Sequence, residues 1–318
     1  MSTVAFYQRI ADMGAAPLWH HGRELLPVEP TASAVPSRWR YGPVREALLD
    51  ASRLVDPKEA ERRVLMLLNP GLHPTVATTP NLLAGVQMLL PGEVARAHRH
   101  TAAAVRFVIE GRGACTVTDG VPVPMEPGDL VLTPSWTWHD HESAAAEPVL
   151  WFDGLDLPLV RSMEAGFFEQ HAELRQPVTG PVTAEGRRPV QYPWASVAQA
   201  LSSLAQDRVD GGDMVTVDYV HPSTGGPVTR TIGCRASLLS PHRTSHQRRE
   251  TASSIFHVVS GEGASLISDT EVTWSQGDIF VVPGWAPAVH TNTAAQPALL
   301  FSMTDEPVLR SLGLYRSA

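Results

Sequence analysis

The chain has 318 residues, 25 of them Lys or Arg and 33 Asp or Glu, for a formal net charge of −8 at pH 7. That acidic balance, with no basic arm or patch, argues against a nucleic-acid partner, and no apolar run reaches the roughly 18 residues of a membrane span. The length can bury two cores, and the 27 prolines and 24 glycines suit a β-rich chain with many turns.

In chain order, residues 3–13 read as a helix. Arg9 and Asp12 stand where a secretory leader would be apolar, so a cytoplasmic location is expected. Residues 26–40, rich in Pro, Ser and Thr, read as a loop. Pro43 opens a stronger helix running to Val55, with proline near the N-terminus and apolar residues at helical spacing. Arg62 to Leu68 reads as a strand. The two cysteines, Cys115 and Cys234, form no paired motif and read as buried thiols in a reducing compartment.

Two segments carry the chemistry. The first runs Gly92-Glu-Val-Ala-Arg-Ala-His98-Arg-His100. In a strand, residues two apart project to one face, so His98 and His100 point together and Arg99 turns away. The second runs from Gly128 through Pro134 to His139, Asp140 and His141. His139, on a neighbouring strand, completes a facial set of three imidazoles. Neutral imidazole suits iron, zinc, copper or nickel better than magnesium or calcium. Two strand histidines without a metal are the structural alternative for the first pair.

The spacing of Gly92, His98, His100 and Gly113, then of Gly128, Pro134 and His139, resembles the two motifs of the cupin family. Trp136 stands where that motif usually has glycine. The resemblance implies small antiparallel β-barrels of the jelly-roll kind. The family's glutamate ligand falls near Ala104 or Val105, neither of which binds metal, so a three-histidine site is expected.

A narrower resemblance is to the gentisate 1,2-dioxygenase group, bicupin ring-cleaving enzymes that include salicylate and 1-hydroxy-2-naphthoate dioxygenases. It is carried by Glu61-Arg-Arg-Val-Leu with Asn69-Pro-Gly, by Asn81-Leu-Leu-Ala-Gly-Val-Gln87, and by His98-Arg-His-Thr with Arg106-Phe-Val-Ile-Glu-Gly. Thr133-Pro-Ser-Trp-Thr-Trp-His-Asp-His141 and Trp151-Phe-Asp-Gly-Leu-Asp156 complete it. It implies an all-β fold with added helices. The expected divisions are 1–78, an N-terminal helical and loop segment with an entering strand; 79–157, a metal-binding first barrel; 158–213, a linker with helices over Pro158 to His171 and Pro193 to Gln206; and 214–318, a second barrel with a packing tail. It also implies one Fe(II) per chain, a small aromatic acid and dioxygen as reactants, and a homotetramer.

The chain repeats itself, as two copies of one unit would. Residues 106–115 align with 256–265 at an offset of 150, and 127–136 with 276–285 at 149. Carried across, His98 becomes Arg248, His100 becomes Glu250 and His139 becomes Ala288, so the second copy is expected to bind no metal. His290 matches His141. His242, His246 and His257 occupy no ligand position.

Other residues have paired readings. Arg106 is a lone cation in an apolar strand, either inward and paired or on the outer face; the resemblance makes it a contact for the substrate carboxylate. Arg62 or Arg63 is the second anion contact, with Arg62 preferred, since adjacent strand residues face opposite ways. Gln87 shares parity with Leu83, Gly85 and Leu89, and lines a pocket or the sheet surface. His141 hydrogen-bonds substrate or oxygen and transfers a proton, or supports the site from behind. Asp153 orients a histidine or is a turn residue. Trp136 and Trp138 are expected in barrel packing. Leu83 stands where the resembled group has an aromatic residue, and Val64 is also apolar. A pocket so walled offers little to a 5-hydroxyl and suits salicylate or 5-substituted salicylates as well as gentisate. The remaining alternatives are a redox-neutral metal cupin, such as an isomerase, and a ligand-binding cupin.

Overall fold

A computed structural model describes residues 1–55, 62–179, 191–207 and 214–318. Glu61 of the resembled stretch, and residues 180–190 and 208–213 of the expected linker, lie outside the described residues. Residues 1–32 form one compact unit, with helices α1 (Thr3–Asp12) and α2 (Leu18–Leu25). The Ser2 side chain caps α1 by accepting from the Ala5 N–H at 3.2 Å. The sequence reading had no helix at α2.

Residues 33–318 form the second unit. It begins with β1 (Ser37–Trp39), α3 (Tyr41–Leu54), β2 (Arg63–Met66), β3 (Leu83–Leu89), β4 (Val94–His100) and β5 (Ala104–Glu110). β6 (Ala114–Thr118), β7 (Val121–Met125), β8 (Leu130–Thr133), β9 (His139–Ser143), β10 (Val149–Leu155), α4 (Leu157–Ser162) and β11 (Phe168–Gln170) follow. Next come β12 (Gln191–Tyr192), α5 (Trp194–Asp207), β13 (Val215–Tyr219), β14 (Gly233–Leu239), β15 (Ser254–Ser260) and β16 (Glu262–Ile267). β17 (Thr270–Ser275), β18 (Ile279–Val282), β19 (Ala288–Asn292), β20 (Ala298–Thr304) and α6 (Glu306–Ser311) end the chain.

The strands build two jelly-roll barrels, so the fold is the expected all-β bicupin with added helices. The first faces sheet β12-β8-β5-β10-β3-β2 onto sheet β11-β4-β9-β6-β7. The second faces β1-β18-β15-β20-β14-β13 onto β17-β16-β19. β1 lies within 26–40, which the composition marks as loop. It takes its backbone partners from β18 of the second barrel, pairing Ser37 with Val281 and Trp39 with Ile279. Three residues are too short for a strand period to show in sequence.

The barrels pack back to back. Strands buried on both faces carry continuous apolar runs, and all seven residues of β3 are buried. The outward side chains of the large sheets form one shared core, in which the Phe107 and Phe301 rings stack at 4.5 Å and Val105, Phe152, Ile255 and Met303 pack around them. The inward side chains fill each barrel separately, around Trp151 and Met125 in the first and around Phe256, Trp274 and Phe280 in the second.

The linker differs from expectation. The helix expected over 158–171 ends at Ser162, and Phe168–Gln170 run as a strand along β4, with Phe168 opposite His100 and Gln170 opposite His98. Glu164, at φ +54, turns the chain out of the helix, as Gly313 does at +71 after α6. The tail does the same in the second barrel: α6 ends at Ser311 and Ser317 bridges to Glu250. Each barrel mouth is thus crossed by its own strap.

Candidate metal centre

His98, His100 and His139 converge at the open end of the first barrel. Their potential ligand atoms lie within 4.8 Å of one another, the one such cluster of three among the described residues. A bulge in β4 makes this possible. Ala95 pairs with His141 and His98 with His139, so β4 spends one residue more than β9 over that interval. The extra residue lets both Ala95 and His98 face inward, where a regular strand would send one of them out.

Each ring is locked from behind. His98 Nδ1 lies 3.0 Å from the Arg96 carbonyl, His100 Nδ1 2.7 Å from that of Ala102, and His139 Nδ1 2.9 Å from that of Thr137. A carbonyl only accepts, so each Nδ1 carries its hydrogen and each Nε2 lone pair is left for a metal. His139 is fully buried, and its Nε2 has no hydrogen-bond partner. Burial, then the Arg62 charge, pushes His98 down to about 2. Burial brings His100 down to about 4, and burial with the Arg106 charge holds His139 well below 6.5. Three neutral imidazoles with an orphaned buried nitrogen fit a transition-metal ion.

A cavity of about 500 Å³ opens in front of them. Arg106 lines it, 2 % exposed. Its Nη1 donates to the Thr133 hydroxyl, and its Nε stands 3.4 Å from Asp153 Oδ1, an ion pair without a hydrogen bond. Asp153 faces Arg106 directly across the β5–β10 ladder. Burial raises the Asp153 carboxyl above its ordinary range even though Arg106 and Arg62 pull it down. Of its two readings, orienting a histidine or sitting in a turn, neither describes it: Asp153 is mid-strand and its partner is Arg106.

Arg62 lines the cavity, whereas Arg63 points the other way and is paired with Glu93. Gln87, 2 % exposed, lines it too, with no hydrogen-bond partner for its amide nitrogen. His141 is fully buried, its Nδ1 2.8 Å from the Thr116 hydroxyl and its Nε2 without a partner. Leu83 and Val64 form part of the apolar wall. Gly85 is not among the lining residues. A Cβ there would meet Val64 Cγ1 at 2.9 Å and the Leu65 carbonyl at 3.0 Å, so glycine serves the close approach of β2 to β3.

Sequence reasoning missed the strap. Gly166, Phe167 and Phe168 line the mouth, and Phe168 stacks on the His98 ring at 5.5 Å. The second copy held the signal: Asp156-Leu-Pro-Leu-Val-Arg-Ser162 repeats as Asp305-Glu-Pro-Val-Leu-Arg-Ser311, and the place two residues on, left-handed in both, holds Glu164 in the first and Gly313 in the second. Trp136 and Trp138 are not in the barrel interior. They hold the Arg99 guanidinium between them, 4.5 Å from each ring. Trp136 has φ +60, the left-handed conformation for which the motif prefers glycine, and Trp285 repeats it at +63.

At the corresponding place in the second barrel, the structure has no histidine triad. Arg235, at the Gly85 position, reaches Glu250 at 4.0 Å, at the His100 position, and is also paired with Asp218 and Glu306. Only about 70 Å³ of cavity remains there.

Residues 85–155 match the family model of the cupin domain. The chain is 36 % identical to gentisate 1,2-dioxygenase 1 of Aquipseudomonas alcaligenes, covering 98 % of this chain and 95 % of that protein. It is also 36 % identical to 5-aminosalicylate 1,2-dioxygenase of a Comamonas species, covering 98 % and 89 %. The crystal structure of salicylate 1,2-dioxygenase from Pseudaminobacter salicylatoxidans superposes with a TM-score of 0.90 at 33 % identity, covering 99 % of this chain and 96 % of that one.

Proposed function

The chain belongs to the family of ring-cleaving cupin dioxygenases that includes the gentisate and salicylate 1,2-dioxygenases, and on that premise we propose that it opens aromatic 2-hydroxy acids between the carboxyl-bearing and hydroxyl-bearing carbons. Gentisate, salicylate and 5-substituted salicylates are the expected substrates, and 1-hydroxy-2-naphthoate is the alternative. One Fe(II) per chain is the expected metal, held by His98, His100 and His139. Iron so held would supply Lewis acidity toward the substrate and the electrons that dioxygen requires.

The protein's own groups do the rest. Arg106, with Arg62, receives the substrate carboxylate through charge-assisted hydrogen bonds. Asp153 aims the Arg106 fork, and Thr133 fixes one of its nitrogens. Gln87 offers an amide N–H to substrate oxygen. His141 exchanges a proton with the substrate hydroxyl. Leu83 and Val64 flank the ring, and the Phe167–Phe168 strap borders the mouth.

The observation that carries this reading is the trio of imidazoles, their Nε2 atoms free, beside two arginines in one cavity. Metal-free protein is loaded anaerobically with Fe(II), then given oxygen and a panel of aromatic acids. Oxygen uptake with a new ultraviolet chromophore is expected. No uptake with any 2-hydroxy acid, at full iron loading, would refute the proposal. A homotetramer is the expected assembly, checked by sedimentation.

A further inference from the structure

His141 differs from the ligand histidines in what holds its Nδ1. Theirs face carbonyls, which only accept. His141 faces the Thr116 hydroxyl, which can donate or accept. The direction of that one bond decides whether the pocket-side Nε2 carries a hydrogen. Thr116 is fully buried, and its hydroxyl has a second neighbour, the Met125 thioether sulfur at 3.2 Å. Sulfur has no hydrogen to give. If the hydroxyl donates to His141, sulfur receives nothing and one hydrogen bond forms. If the hydroxyl donates to sulfur, it accepts from His141 Nδ1–H and two form.

The second barrel repeats the pair with the opposite third member: on the ladder Ser265 faces His290 as Thr116 faces His141, so the offset here is 149 rather than the 150 that the sequence alignment gives this strand. Ser265 Oγ lies 2.7 Å from His290 Nδ1, and Trp274, at the Met125 position, donates its indole N–H to Ser265 at 2.9 Å. That donor occupies an oxygen lone pair and leaves the hydroxyl hydrogen for His290.

We infer that Thr116, together with Met125, is a positioning residue that holds His141 as its Nδ1–H tautomer and presents a bare Nε2 to the pocket, while Ser265 and Trp274 hold His290 in the opposite tautomer. Arg62 and Arg106 share the cavity with His141. Their guanidinium charges favour a lone pair over an N–H facing them. The consequence for chemistry rests on the proposed function. A bare Nε2 accepts the hydrogen of the substrate 2-hydroxyl; as the proton moves, the O–H bond breaks, an N–H bond forms, and the electron pair stays on the phenolic oxygen. Nδ1 goes on donating to Thr116, so no group need turn. The other tautomer would present N–H to that hydroxyl and could not take its proton.

The test is nitrogen NMR of metal-free protein carrying ¹⁵N-histidine, with the two signals assigned by their loss in His141→Gln and His290→Gln. His141 is expected protonated at Nδ1 and His290 at Nε2. Thr116→Ser, which keeps the hydroxyl, retains the His141 pattern. Thr116→Val and the volume-conserving Met125→Leu move it toward Nε2–H and lower kcat/KM by roughly tenfold or more at unchanged metal content. Should Thr116→Val not fold, Met125→Leu carries the test, since it leaves Thr116 in place. A wild-type His141 protonated at Nε2, or a Met125→Leu protein with unaltered pattern and activity, overturns the inference. The spectrum needs no substrate, so the tautomer stands or falls separately from the proposed reaction.

Discussion

Replacing Arg106 by methionine separates two jobs of one side chain. In the folded protein Arg106 is the counter-charge of Asp153, whose side chain is 10 % exposed, and it is the proposed carboxylate contact. Breaking a buried ion pair by removing one partner typically costs about 3–5 kcal/mol, because a charge is left uncompensated. Part of that cost is avoided if Asp153 takes up a proton. Burial already raises its carboxyl, and without Arg106 it rises further. A group whose folded pKa exceeds its unfolded value favours folding at low pH and opposes it as pH climbs. The stability deficit of Arg106→Met against wild type is therefore expected to be small near pH 4 and larger at neutral pH. The double variant Arg106→Met/Asp153→Asn removes the stranded charge and should recover most of the lost stability. It should not recover recognition: one charge-assisted hydrogen bond is worth about 1.5–3 kcal/mol, roughly ten- to a hundredfold in affinity. Chemical denaturation across pH, metal analysis and steady-state kinetics on both variants measure these separately. If the double variant regains catalytic efficiency, Arg106 serves only to neutralise Asp153 and the assignment to substrate fails.

His98→Ala, His100→Ala and His139→Ala are each expected to lose most bound metal and activity, with one metal per chain in the wild type by elemental analysis; a second ion surviving in these variants contradicts the single site. Leu83→Tyr should move the ratio of catalytic efficiencies toward gentisate over salicylate by roughly 1–2 kcal/mol, the scale of a hydrogen bond to a polar group. A ratio left unmoved shows that Leu83 does not see the ring. His98, His100, His257 and His290 are all depressed by burial, to between about 2 and about 4. The unfolded chain therefore takes up protons below about pH 6.5 that the folded chain refuses, so metal-free protein should lose stability as pH falls from 6.5 toward 4.5. Equal denaturation midpoints at the two ends of that window would contradict the burial argument.

The ligand triad was legible because a strand repeats every two residues, and two histidines at that spacing cannot avoid each other. The replacement of the three histidines in the second copy was legible because the copy preserves the frame around Arg248, Glu250 and Ala288. The β4 bulge left no mark in the sequence: Ala95, Arg96 and Ala97 read as ordinary strand. The strap was misread because Met163 to Phe168 carry apolar residues compatible with a helical face, while the repeat ending at Ser311 and Gly313 pointed to an early stop. The turn reading of Asp153 rests on the glycine that follows it, whereas its partner is Arg106 across the ladder, a pairing no local pattern encodes. Thr116 drew no notice because a buried threonine in a strand is ordinary until the atom facing it is known.

The guanidinium of Arg235 gives the second barrel a resident cation that is covalently part of the chain. On the proposed function a chelator empties the first barrel, whereas the Arg235 cation cannot be removed from the second. Because Phe107 and Phe301 join the two across a common core, the emptied barrel stays seated on a neighbour whose ion pairs are untouched. One half of the molecule thus acts as a mould for the other, and stripping the metal should be a reversible loss of activity rather than a route to unfolding.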